Sequence, residues 1–343
     1  AKESVLATRE ALIETEQRVL LQAVQAYVDV RLGQDTVALR ESNMRLIVQE
    51  LQAAQDRFDV GEITRTDVAI AEARLAAARS DLVAAQGALE VARENYKLAI
   101  GVFPRNLARL PANPRTARNL DEARGVAQGN HPSIRKAQRE VTVSDINVAR
   151  AKAAMGPVLT GRTGVGQRSD SNDTVSLSLN LSQTLYSGGR LSALFRQALA
   201  RKDASRAGLH QTSAVIAQAV GEAWSNVSVA NARIVASDQQ IISAQTAYEG
   251  LREEATLGAR TTLDVLDAEQ ELRAARTTRL SAEATRNISV YALLSAMGLL
   301  TVDHLKLGIP TYDPAAYYNA VKNAPATSAQ GRKLDRVLKS IGQ

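Results

Sequence analysis

Apolar residues recur every seven positions along much of this chain. Val37, Met44, Leu51 and Phe58 form one column, Val68, Leu75, Leu82 and Leu89 a second, and Ile234, Ile241, Tyr248 and Ala255 a third. A strict period of seven predicts helices that supercoil left-handedly, because a helix of 3.6 residues per turn must underwind to keep such a seam facing its partner. Between the columns lie Ala, Arg, Glu and Gln, all good helix formers. One segment breaks the pattern. From Thr174 to Leu185 the chain alternates, with Val175, Leu177, Leu179 and Leu181 on one face and Ser176, Ser178, Asn180 and Ser182 on the other. That predicts a strand. Pro157–Gly166 reads as a weaker strand with Leu159 and Val165 on one face, and the polar run Gln167–Asp173 reads as the loop between them.

The heptads belong to a longer repeat. Gly61-Glu62-Ile63-Thr64-Arg65-Thr66-Asp67-Val68 returns 197 positions later, without a gap, as Gly258-Ala259-Arg260-Thr261-Thr262-Leu263-Asp264-Val265. Ala71-Glu72 then matches Ala268-Glu269, Leu75 matches Leu272, Gly101 matches Gly298, and upstream Tyr27 matches Trp224. A long-period repeat implies pseudo-symmetric architecture. Each copy predicts a long helix, a short glycine turn and a second long helix, so residues 22–101 and 219–298 should form similar antiparallel coiled-coil hairpins turning at Gly61 and Gly258. The arm from about Arg190 to Gly258 would run roughly 100 Å at 1.5 Å per residue.

Composition narrows the class. Only 3% of the 343 residues are aromatic, too little for a large globular core. The net charge is +6, but the arginines lie beside Glu and Asp along the helices and read as solvated faces. Without basic runs or interleaved aromatics the chain is not predicted to bind nucleic acid. The absence of cysteine excludes disulfides, thiolate metal sites and a lipidated Cys within this stretch. No run of 18 apolar residues predicts a transmembrane helix. His131, His210 and His304 lie far apart, share no metal-ligand spacing and read as ordinary surface or turn residues. With no phosphate loop and no nucleophile motif, neither a metal, a cofactor nor an enzyme activity is expected. The strand's polar face, by contrast, is informative. Its residues are small and uncharged, which suits a transmembrane barrel strand of ~9–11 residues, apolar toward lipid and polar toward a lumen.

The order helix, two strands, Tyr186-Ser187-Gly188-Gly189-Arg190, very long helix, glycine turn, helix resembles the TolC family of outer-membrane efflux and secretion channels. Leu185-Tyr186-Ser187-Gly188-Gly189 resembles that family's strand-to-helix turn. Val60-Gly61 through Asp67-Val68 and Leu257-Gly258 through Ala268 resemble its two hairpin tips, and Asn130-His131-Pro132 resembles the opening of a family repeat. Tyr312-Asp313-Pro314 and Lys333–Leu338 resemble the branch tied to type I secretion. The resemblance implies a mainly α fold, with long antiparallel coiled-coil hairpins in a pseudo-twofold repeat forming an α-barrel, and a small antiparallel transmembrane β-barrel portion. The implied organisation is a first hairpin at 1–101, an equatorial connector at 102–130, a helix at 131–156, two barrel strands at 157–187, a second hairpin at 188–298 and a C-terminal equatorial segment at 299–343. Counting back one repeat from His131 places an upstream helix and two further strands in about 60 to 70 residues before Ala1.

The function so implied is passive export of proteins or small toxic compounds across periplasm and outer membrane. A homotrimer would do this with a periplasmic adaptor and an inner-membrane pump, ABC-type or proton-driven, its strand residues Val175, Leu177, Leu179 and Leu181 facing outer-membrane lipid. Asp67 and Asp264 follow Thr64 and Thr261 by three residues, the spacing of a capping box, so helix capping is one reading of both. Symmetry breaking suggests more: Asp267 has Ile70 as its counterpart, and Arg260 has Ile63. By the resemblance, Asp264 and Asp267 fall on acidic constriction positions, and Arg260 and Asp67 on a charge pair that closes the periplasmic entrance. Ala255 stands where the family often has a Tyr. Two rivals remain at this point. A periplasmic adaptor would need β-rich segments flanking one hairpin, and a purely structural coiled coil would need neither the barrel-like strand nor the asymmetric tip charges.

Overall fold

In a computed structural model, residues 2–108, 110–166, 174–309 and 313–322 are described, with residues 329, 332, 333 and 336 beyond them. The expected loop Gln167–Asp173 and most of the tail motif at 333–338 lie outside the described residues. Helices dominate. In chain order they are α1 (Lys2–Asp59), α2 (Arg65–Ile100), α3 (Leu120–Asn130) and α4 (Pro132–Ala153), then α5 (Arg190–Thr256) and α6 (Thr262–Ala296) after the strands β1 (Val158–Gly166) and β2 (Thr174–Ser182). Two short helices, α7 (Val302–Leu305) and α8 (Pro314–Val321), belong to a separate unit that begins at Thr301. Thr301 and Asp313 cap them.

The two hairpins are α1–α2 and α5–α6. Their turns are built alike. Gly61 and Gly258 take φ of 82° and 76°, left-handed values that glycine adopts without strain. Each preceding helix closes with the same pair of bonds. Gly61 N–H donates to the Phe58 carbonyl and Glu62 N–H to that of Arg57, while Gly258 N–H donates to Ala255 and Ala259 N–H to Glu254, all within 2.9–3.1 Å. Reaching back five residues in this way satisfies carbonyls the helix would otherwise leave open. The α5 arm starts at Arg190, as its sequence indicates, after a turn in which Gly188 and Gly189 both have positive φ.

The heptad columns meet where the hairpins pack. Met44 and Leu51 lie against Ile47, Leu75 and Ala78. Val37 packs with Val30, Leu89 and Ala92. Ile241, Tyr248 and Ala255 pack with Val265 and Leu272, and Leu46 of the first hairpin joins them. Leu266 packs with Ala54 and Ala71, tying the second hairpin to both helices of the first. Phe58 departs from its column and is exposed. It sits in the last turn of α1, where the chain is already folding back. Away from the tips, α3 closes a second core, with Ala123 and Ala127 against Val220, Ala223, Leu293 and Met297. The expected equatorial connector therefore contains a helix of its own.

The strands pair antiparallel in the register Leu159↔Leu181, Gly161↔Leu179 and Thr163↔Leu177, and β2 ends at Ser182 rather than Leu185. Cross-strand partners share a face, so Val175, Leu177, Leu179 and Leu181 line one side. They are 69–81% exposed, and β1 is the one element that β2 packs against extensively among the described residues. Arg162, Ser178 and Asn180 fall on the other side.

His131 is a turn residue, as expected, but a buried one rather than a surface one. Its Nδ1 accepts from the Ser133 backbone at the start of α4, and Pro132 fills the first helical position, where no donor is needed. Burial lowers its pKa, partly opposed by the Glu14 carboxylate. Gly298, at φ 75°, lies against its backbone so closely that a Cβ there would fall 2.7 Å from the His131 Cα. The repeat-related Gly101, at φ 91°, faces open space. Gly101→Ala should therefore cost about 1–2 kcal/mol, the left-handed penalty alone. Gly298→Ala should cost distinctly more. Thermal unfolding of the two variants in parallel checks this; equal losses would mean the His131 contact yields freely.

Candidate functional site

The candidate site is the tip region, where two turns and four helix ends come together. At each tip the capping box is complete. Thr64 accepts from the Asp67 backbone, and Asp67 Oδ2 accepts from the Thr64 N–H and hydroxyl at 2.9 and 2.7 Å. Thr261 and Asp264 repeat the arrangement at 3.0 and 2.8 Å. These bonds hold both carboxyls below the usual carboxylate range, so each stabilises the fold above its ordinary pKa and stops doing so as pH falls. Capping does not consume the charge: a carboxylate bonded through one oxygen still places a negative group at the tip.

The asymmetric residues have partners that sequence alone did not supply. Arg260 reaches back to Glu254 of its own hairpin at 2.8 Å, which raises its pKa further. Within one chain Arg260 and Asp67 are thus engaged separately. Asp267 is bonded to Arg74 of α2 at 2.6 Å, across the seam between the hairpins. A second bridge crosses the same seam, Arg273 of α6 to Asp81 of α2 at 3.4 Å, with Arg40 on the same carboxylate. A third joins Arg252 of α5 to Glu50 of α1 at 3.7 Å. Arg74 and Asp81 carry no periodicity that marks them as partners. Their pairing follows only from how α2 lies beside α6.

The centre of the seam is buried and polar. Glu269, only 6% exposed, faces Asn43 of α1, itself buried. With the Asn43 amide nitrogen turned toward it, Glu269 accepts a hydrogen bond, and the Asn43 oxygen accepts from Arg273 at 3.2 Å. That orientation is assigned from the bonding network. Beside them the Tyr248 hydroxyl is buried without a partner. A cavity of about 380 Å³ opens here, lined by Asn43, Arg45, Tyr248, Glu269, Arg273 and Arg276 among others. Burial raises the Glu269 pKa, opposed by Arg273, Arg276 and Arg74 and aided by Glu50. Its repeat counterpart Glu72 is exposed. Identical residues at matched positions therefore meet opposite environments, because the Glu269 face of α6 is covered by α1 of the other hairpin and the Glu72 face of α2 is left open. Among the described residues no cluster of His, Asp or Glu could hold a metal ion, and no helix is long and apolar enough to cross a membrane, which says nothing of a β-barrel.

Tandem coiled-coil hairpins, and between them a hairpin of strands with an uncovered apolar face, define an outer-membrane α-barrel channel. The profile of the outer membrane efflux protein family matches residues 124–299. The outer membrane efflux protein BepC of Brucella suis is 35% identical over 94% of this chain and 72% of its own length. The outer membrane protein TolC of Vibrio cholerae is 27% identical over 84% and 69%. A crystal structure of CusC superposes with a TM-score of 0.79 at 21% identity, over 86% of this chain and 72% of that one. The chain belongs to the outer membrane efflux protein family. It is an outer-membrane export channel component whose helices stand in the periplasm, and its relatives are channels rather than enzymes.

Glu269 gives this region a pH signature. A carboxyl whose pKa is raised by folding contributes stability at low pH and loses that contribution as pH rises through the shifted value. Glu269→Gln removes the titration. The stability of the wild type relative to Glu269→Gln should fall as pH rises from about 4.5, the ordinary value, and then level off. Denaturant unfolding across pH measures it; a pH-independent difference would place Glu269 in contact with water.

Proposed function

We propose that the channel is a homotrimer conducting proteins or small toxic compounds passively from periplasm to exterior, energised by an inner-membrane pump through a periplasmic adaptor. The observation that carries this reading is the uncovered apolar face of β2. Val175, Leu177, Leu179 and Leu181 would forgo their own hydrophobic stabilisation if left in water, and a barrel shared between copies would place them in lipid. The two hairpins of each copy then supply a third of a helical tunnel. The resemblance of Tyr312-Asp313-Pro314 and Lys333–Leu338 to the type I secretion branch favours a type I secretion partner, with an ABC-type pump, over a proton-driven one.

The second tip carries the gate in this reading. Asp264 and Asp267 from three copies place six carboxylates around one axis, a ring that favours cations. Arg260 and Asp67 pair between neighbouring copies, exchanging their bonds to Glu254 and Thr64 for one another as the entrance shuts. The Arg74 bridge holds Asp267 in place without neutralising the ring, since an exposed ion pair is worth only about 0–1 kcal/mol and stays accessible to solvent.

Two experiments on the full-length protein test this. In single-channel recordings Asp267→Asn should lower cation selectivity, whereas Arg74→Gln, which frees the carboxylate, should not. Asp67→Asn and Arg260→Gln should instead raise the resting conductance. Wild-type behaviour in all four would leave these residues as helix caps and solvated charges. In the strand, Leu179→Arg should destabilise the detergent-solubilised trimer by ~2–4 kcal/mol if it lies at the bilayer midplane. A trimer indifferent to that change, or a monomer by size measurement in the wild type, would remove the membrane assignment.

A further inference from the structure

We infer that the cavity in the seam between the hairpins is a binding site for a small organic anion, its acidic group held by arginines and its apolar body lying against leucines. This goes beyond export through a trimer, since every residue lining the cavity belongs to one chain.

The cavity lies where α1, α5 and α6 meet. Its volume of about 380 Å³ falls within the ~300–1,000 Å³ range of ligand pockets. Its charge is one-sided. Arg45, Arg273 and Arg276 line it, and Glu269 is the one carboxyl among the lining residues. Burial pushes the Glu269 pKa up, which weakens the single charge opposing an anion. Arg276 donates to Gln245 at 2.7 Å, and Arg273 reaches Asp81 at 3.4 Å. A guanidinium has five N–H groups, so each keeps donors to spare. Arg45 makes no hydrogen bond or ion pair among the described residues. Leu39, Leu46 and Leu272 supply an apolar wall. Tyr248 gives the sharpest sign of a ligand. It is 6% exposed and lines the cavity, yet its hydroxyl has no partner. Leaving a buried hydroxyl unbonded is costly. Burial, with Glu50 next in effect, raises its pKa, so the hydroxyl remains a donor. Glu50 itself is paired with Arg252 at 3.7 Å. An acidic oxygen entering the cavity would give the hydroxyl its acceptor.

The repeat shows that the coiled coil does not demand these groups. At matched positions Tyr248, Gln245, Arg273 and Arg45 correspond to Leu51, Val48, Ala76 and Ile242. Each polar residue is apolar in the other copy, which forms the same kind of hairpin. Three helices therefore bring together, at this seam, polar groups that helix packing does not need. Donors in excess of acceptors, a hydroxyl without an acceptor and an apolar wall fit an acid carried on a short apolar body, since guanidinium–carboxylate bonds are among the strongest a protein makes.

Calorimetric titration of the full-length protein, in nanodiscs of neutral phosphatidylcholine, tests this with three probes of similar shape: phenylacetate, phenethyl alcohol and phenethylammonium. Phenylacetate should bind saturably, and more tightly than the other two. Tyr248→Phe and Arg45→Ala should each weaken it about tenfold, the worth of one hydrogen bond to a charged group. Neither change should lower the melting temperature of the protein without probe, because neither group has an internal bond to lose. Three results would overturn the inference: no saturable phenylacetate binding, binding undiminished in both variants, or a preference for phenethylammonium, which would assign the cavity to a cation held by Glu269. A Tyr248→Phe protein that loses stability along with binding would show that the hydroxyl already has a partner, and would overturn it as well. Export and trimer formation are read out separately, so none of these results bears on them.

Discussion

Every long helix of this protein carries only a narrow apolar stripe, much of it alanine, and none can bury that stripe alone. This constraint governs the rest. Alanine contributes little area per residue, so stability has to come from many weak contacts spread along great length. Short side chains also let helix axes approach closely, as they do where Leu266 meets Ala54 and Ala71. Each helix is thereby committed to neighbours on more than one side. In the chain itself α1 touches α2, α4 and α6, and α5 touches α3, α4 and α6. Faces left uncovered are of the same kind as those covered, and in the proposed trimer repetition of the unit would satisfy them.

The polar groups take their meaning from that arrangement. Tip turns are local devices: glycine supplies a left-handed φ, threonine and aspartate close the helix start, and neither needs the rest of the molecule. The ion pairs across the seam are the opposite case. Arg74, Asp81, Glu50 and Arg252 are ordinary surface residues of their own hairpins, and only juxtaposition turns them into links. Glu269 is the extreme example. Its carboxylate tolerates burial because Asn43 and Arg273 converge on it from two helices, a condition its counterpart Glu72 never meets within the chain.

This division explains what could be read in advance. The hairpins, their turns at Gly61 and Gly258, the start of α5 at Arg190 and the pairing of the two strands all follow from periodicity or from local turn chemistry, and all were legible. The capping of Asp67 and Asp264 was legible for the same reason. Phe58 was misplaced by its heptad because the column outlasts the helix seam it serves. The burial of His131 was invisible, since the glycine that packs on it lies 167 positions away. The partners of Asp267 and Arg260 were equally hidden: a single sequence marks where charge departs from the repeat, but not which helix will lie opposite.

The length of α5 has a mechanical consequence. Its middle is clamped in the core formed by Val220 and Ala223 with α3 and α6, and about 50 Å of helix extends from there to the tip at 1.5 Å per residue. Such an arm is a lever whose fulcrum is a cluster of alanines beside Leu293 and Met297. A tilt of about 5° at the fulcrum carries the tip roughly 5 Å, about one turn of helix, while displacing the alanines around it by a fraction of an ångström. In the proposed trimer such a tilt would change the aperture of the entrance by amounts that matter to a solute without any rearrangement that the core would register.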